Sequence, residues 1–242
     1  SPVTWTDLAY GNGVWVAVGW GNSDSDKKVM TSPDGITWTP RSSASDRRTW
    51  MDVAYSDGRF VAVSQGTSSM YAWTMTSTDG INWTGGAAPS PTHQTWSSVT
   101  YGNGVWVAVS GTGTGDRVMT SPDGVTWTRQ STPGASRSWS SVTYGDGLFV
   151  AVLGQVNCSK YWRPVMTSPD GITWTLRDGA KRQAWTEVHY ANGRFVSLTN
   201  CSSAYVGTDR VMSSTDGLTW SLEYAQSITF TEPASQLLGD GS

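Results

Sequence analysis

Carboxylates at the third position of a recurring motif are the residues of this chain most suggestive of chemistry: Asp7, Asp52 and Glu187, with Ser98 and Ser141 in the other two copies. Two such acids facing one cavity can hydrolyse a glycosidic bond, one protonating the leaving oxygen while the other attacks or activates water. Cations run beside them, with Arg47 and Arg48, His93, Arg137, and Lys181 with Arg182 each lying shortly before the next motif tryptophan. They suit a carboxylate or sulfate, or serve as salt-bridge partners of the acids. A third set is aromatic. Trp20, Tyr71, Trp73, Tyr161, Trp162 and Tyr205 fall between the repeating segments, where exposed rings would stack on sugar C–H faces or anchor a protein partner.

The elements that must position these groups are repeats. Trp-x-x-(Val/Leu)-x-Tyr starts at Trp5, Trp50, Trp96, Trp139 and Trp185, a period of 43 to 46 residues. An Asn-Gly or Asp-Gly pair follows each copy, the strongest short signal for a two-residue hairpin, and then an apolar run such as Val14 to Val18. The second half of each repeat reads Val-Met-Thr-Ser-Pro-Asp-Gly-x-Thr-Trp or a close variant, at 29–38, 74–83, 118–127, 165–174 and 211–220. Its Ser-x-Asp-Gly core predicts a turn closed by a left-handed glycine, with the aspartate accepting backbone or serine hydroxyl hydrogen bonds. Each repeat thus holds four strands, A to D.

Four-stranded units of this period predict an all-β, five-bladed β-propeller of antiparallel blades. The expected domain spans 1–224, with blades near 5–49, 50–95, 96–138, 139–184 and 185–224; residues 225–242 form an extra edge strand, a linker tail, or both. In such a meander the A–B and C–D turns share one end of the ring, and the B–C and D–A connections share the other. The second set is longer and irregular, and loops displayed together on a rigid scaffold are where recognition concentrates. With strand A innermost, Arg48, Arg137 and Arg182 would surround the channel mouth, and Asp7, Asp52 and Glu187 would come from consecutive blades.

Composition narrows the partners. A net charge of −3 argues against nucleic acid, whose phosphates demand clustered Lys and Arg. No apolar run approaches the roughly 20 residues that cross a bilayer. His93 and His189 lack the spacing of a zinc site or a catalytic triad, and nothing implies a metal or cofactor. Cys158 and Cys201 occupy the same kind of loop in neighbouring repeats. A disulfide between them would place the chain in an oxidising, secreted setting; two unpaired thiols are the alternative.

The Ser-x-Asp-Gly-x-x-Trp segments resemble the Asp-box, or BNR, repeat of sialidase-type and other extracellular β-propellers, with one residue fewer between Asp and Gly. The five-blade architecture resembles that of tachylectin-2-type lectins. The sialidase arginine triad has no counterpart here, so that activity is not implied. Five-bladed glycosidases are similar in placing three acids near the channel mouth, which keeps Asp7, Asp52 and Glu187 as a minority catalytic reading. The expected function is non-catalytic recognition of a glycan or glycoconjugate through Trp20, Tyr71, Trp73, Tyr161, Trp162 and Tyr205, with Arg48, Arg137 and Arg182 selecting polar groups. Several weak sites on one ring would give avidity. The alternative is a protein-interaction or adhesion domain of a larger extracellular assembly.

Overall fold

The computed structural model describes residues 3–21, 27–45, 48–65, 73–86, 94–112, 116–134, 137–154, 164–199 and 210–223. The expected disulfide partners Cys158 and Cys201, the rings of Tyr71, Tyr161, Trp162 and Tyr205, and the expected tail strand all lie outside these residues.

Each repeat forms one four-stranded antiparallel sheet in sequential order. The first holds β1 (Thr4–Gly11), β2 (Val14–Trp20), β3 (Val29–Ser32) and β4 (Thr39–Arg41), and the second β5 (Thr49–Ser56), β6 (Arg59–Gln65), β7 (Thr74–Ser77) and β8 (Thr84–Gly86). The third holds β9 (Trp96–Gly102), β10 (Val105–Ser110), β11 (Val118–Ser121) and β12 (Thr128–Gln130). The fourth holds β13 (Trp139–Gly145), β14 (Leu148–Leu153), β15 (Val165–Ser168) and β16 (Thr175–Arg177). The fifth holds β17 (Glu187–Ala191), β18 (Arg194–Leu198), β19 (Val211–Ser214) and β20 (Ser221–Glu223). These are the five blades of an all-β propeller, with β1, β5, β9, β13 and β17 lining the central channel. Among the described residues no helix is long and apolar enough to cross a membrane.

Both predicted turns form. At the A–B hairpin both central residues take positive φ, as at Asn12 (48°) and Gly13 (75°), the geometry that matches the twist of the flanking strands. At the C–D turn the Ser32 hydroxyl donates to Asp34 Oδ1 (2.9 Å) and accepts the Gly35 amide (2.8 Å). Asp34 Oδ1 also accepts the amides of Ile36 and Thr37, each at 2.8 Å, and the Trp38 indole N–H donates to the Gly35 carbonyl. The same Ser–Asp–Trp arrangement closes the turns at Asp79, Asp123, Asp170 and Asp216. Backbone donors thereby hold the Asp34 carboxyl down at about 2.

Blades join by one repeated apolar interface. Val16, Val18 and Val29 of the first blade meet Trp50, Phe60 and Met75 of the second; Val61 and Val63 meet Trp96, Trp106 and Met119. Val107, Val109 and Val118 then meet Trp139, Phe149 and Met166, and Val150, Val152 and Val165 meet Trp185, Phe195 and Met212. Burying one large ring contributes about 4–6 kcal/mol before entropy is counted, so the motif tryptophan is the main adhesive of each joint. Trp5 departs from the other four motif tryptophans. Among the described residues no valine set of a preceding blade covers it, and it is 39% exposed while its four counterparts are buried.

Candidate functional site

The channel, about 480 Å³, is walled by the inner strands, including Asp7, Asp52, Ser98, Ser141 and Glu187. Four of these side chains project to the following blade and cap a channel-facing amide. The Val53 amide donates to Asp7 Oδ2 (2.9 Å), Val99 to Asp52 Oδ2 (2.7 Å), Val142 to Ser98 Oγ (3.2 Å) and Val188 to Ser141 Oγ (3.2 Å). Hydroxyls one position earlier add a second tie, with Thr6 donating to the Trp50 carbonyl, Ser97 to Trp139 and Ser140 to Trp185. Asp7 and Asp52 are also hydrogen-bonded to each other. Enclosure of the Asp52 carboxyl, first, and then its contact with Asp7, push it well above the usual carboxylate range. Glu187 makes no such cap among the described residues and lies 3.6 Å from Nε2 of His189 on its own strand. The structure therefore places all three expected acids on the channel wall but brings only Asp7 and Asp52 into contact with each other.

Asp52 and the turn aspartates titrate with opposite signs. Because the folded state raises Asp52 above its unfolded value near 3.9, its proton favours folding, and that stability is lost as pH rises through the folded value. The turn aspartates are lowered, so their stabilisation is present above about pH 4 and lost as pH falls toward 2. Asp52→Asn, which keeps an acceptor for Val99 and supplies a donor to Asp7, is expected to raise Tm by a few degrees at pH 7. At about pH 3 the gain should vanish in the same melting experiment, with both chains melting earlier.

At the loop end a cleft of about 440 Å³ opens between the first two blades, lined by Thr6, Trp20, Gly21, Thr49, Met51 and Gln65. Trp20 ends β2 opposite Thr4, and Gln65 ends β6 opposite Thr49, so ring and amide occupy equivalent places on adjacent blades. Trp20 is 38% exposed.

Trp73 and Arg48 are corrections. Trp73 is only 7% exposed, and the Arg48 guanidinium, itself buried, stacks over its ring at 4.1 Å. The reason is that strand pairing runs one residue further than the motif suggests: the Ser64 amide donates to the Trp73 carbonyl and the Trp73 amide to Gly86. Trp73 thus sits in a repeat position whose counterparts Lys28 and Arg117 are also buried. Arg48 shares a buried tier with Gln94 and Gln183, two residues before their motif tryptophans. Arg137 is half-buried and Arg182 exposed, and none of the three arginines lines the channel or the cleft. Thr49, Met51 and Gln65 join the cleft without a motif of their own; their signal in the sequence is position, since Gln65 is the second-blade equivalent of Trp20.

Solved structures that share this fold include two longer chains. YCF48 bound to D1 peptide matches with a TM-score of 0.61 and 15% identity, over 90% of this chain and 66% of that one. The computationally designed Ika8 protein matches with a TM-score of 0.57 and 10% identity, over 86% of this chain and 57% of that one. The chain therefore spans about two thirds or less of either. No family model matches the sequence. No curated protein matches it either.

Proposed function

We propose that this chain is a non-catalytic recognition module that grips an extended peptide of a partner protein at the loop end of the propeller, with Trp20 as anchor. The observation that carries this is the cleft itself: an exposed indole faces Thr49, Met51 and Gln65 across a groove between two rigid blades. The indole offers flat apolar area at low entropic cost, Met51 adapts to varied side chains, and the Gln65 amide can both donate to and accept from a peptide backbone. A protein of similar fold, YCF48, has been solved with a peptide bound, which supports a peptide ligand here. The acids fit a structural role, because Asp7 and Asp52 each tie down an amide of the next blade.

A carbohydrate is the second reading, favoured by the same ring standing beside an amide and hydroxyls, and it carries with it the expectation of a secreted protein. Parallel peptide and glycan arrays with the wild-type chain and Trp20→Ala separate the two. The expected result is peptide hits weakened about 30-fold or more by Trp20→Ala, the scale of a central aromatic anchor. Glycan hits alone would transfer the proposal to the second reading, and hits indifferent to Trp20→Ala would remove this cleft from both. Glycoside hydrolysis lost in Asp7→Asn and Asp52→Asn would overturn the non-catalytic assignment.

A further inference from the structure

Among the described residues, the joint that unites each pair of consecutive blades is not repeated between the fifth and the first. Inner strands adjoin in the pairs β1–β5, β5–β9, β9–β13 and β13–β17, with no comparable packing of β17 on β1. The first blade presents Trp5, Leu8 (55% exposed) and Tyr10 (54%), whose counterparts Trp50, Val53 and Tyr55 pack on the preceding blade. On the opposite flank, Leu198 is 40% exposed where Val18, Val63, Val109 and Val152 are buried. Polar ties repeat the pattern. Glu187, which by register would cap the Leu8 amide, turns to His189, and Thr186 donates to Leu198 in its own blade rather than to a neighbour. A Cβ on Gly80, Gly124 or Gly171 would lie 2.7 Å from a valine of the preceding blade, whereas one on Gly35 would meet only Trp15 of its own blade, at 3.6 Å.

These two faces are complementary halves of an interface the chain already makes four times. We propose that they are docking surfaces for further blades of this same repeat, joined in tandem as the present five are, which wedge between the fifth and first blades and complete the ring. The number follows from the arc. Most of this chain superposes on a part of two longer chains, and the unmatched lengths of those chains equal roughly two and a half and three and a half blades, so two or three added blades keep the total within the four to eight usual for propellers. A second copy would insert five blades, too many for that arc. The surface chemistry required of the wedge is fixed: a Trp-x-x-(Val/Leu)-x-Tyr face toward Leu198 and a valine-rich face toward Trp5.

The test compares the chain as it exists with versions in which one, two or three copies of the third blade, residues 96–138, follow Glu223. Tryptophan oxidation footprinting by mass spectrometry reads each ring, with light scattering for mass. In the chain alone, a monomer with Trp5 oxidised about tenfold faster than Trp50, Trp96 and Trp139 is expected; adding two or three blades should slow Trp5 to their rate and raise Tm. A monomer whose Trp5 is already protected would mean that five blades close on themselves, a dimer that protects it would assign the seam to a second copy, and protection at no blade number would overturn the proposal. Should the extended chains fail to fold, Leu8→Glu in the original chain decides. The proposal requires its Tm to stay within about 2 °C of wild type while Val99→Glu at the equivalent buried place lowers it by 10 °C or more, and a comparable loss from Leu8→Glu refutes an open face.

Discussion

Trp139→Ala should lower stability by about 3–5 kcal/mol, the cost of removing a large ring from a packed core. At about 2–4 °C per kcal/mol for a chain of this size, Tm falls by roughly 6–20 °C. The ring is wholly buried and packs with Val107, Val109 and Phe149, which belong to two blades, so the cavity opens at a joint and neither sheet can collapse into it without breaking register. Trp5→Ala removes the same side chain from the same motif position, where the ring is only partly covered, and should cost less than about 1.5 kcal/mol. Denaturant melts of both variants check this, with m compared to confirm that the same surface is exposed on unfolding. Equal losses would mean that Trp5 is packed in solution. Near-zero loss for Trp139 would mean that the motif tryptophans do not hold the blades together.

What the sequence disclosed tracks how local each feature is. The hairpin pairs Asn12-Gly13 and Asp57-Gly58 and the Ser32-Pro33-Asp34-Gly35 turn depend on a few neighbouring residues, and each forms as read because its hydrogen bonds are satisfied within the turn. Blade count and strand order follow from repetition of those turns. The site was less legible. Trp73 reads as a loop ring because motif spacing places the strand start at Thr74, whereas backbone pairing extends one residue earlier and the indole lies under Arg48. Arg48 itself looked like a rim cation, since nothing local in Arg48-Thr49-Trp50 tells that its stem lies in a buried tier across from a ring two strands away. The even spacing of repeats predicts a ring, yet spacing fixes only how successive blades join. Whether the last reaches the first depends on the angle accumulated over four joints, and no single motif encodes that angle.

Gly171→Ala is expected to be the second large loss, about 2–5 kcal/mol. Gly171 has φ of 74°, and placing a side chain in that left-handed region costs roughly 1–2 kcal/mol. The added Cβ would also stand 2.7 Å from Val107 Cγ2 of the preceding blade and 3.6 Å from Phe149. Valine is stiff about χ1 and Val107 is paired on both sides in its sheet, so the methyl cannot swing away and overpacking adds about 1–3 kcal/mol. Gly35→Ala supplies the internal control. Its φ of 76° imposes the same backbone strain, but its nearest neighbour would be Trp15 Nε1 at 3.6 Å, an ordinary contact, so only the first cost of about 1–2 kcal/mol should appear. In a Val107→Ala background the penalty for Gly171→Ala should fall to the Gly35 level, a coupling measurable as the difference of denaturant midpoints around the double-mutant cycle. An unchanged penalty there would place the whole cost in the backbone and remove the tight turn-to-valine contact from what locks one blade onto the next.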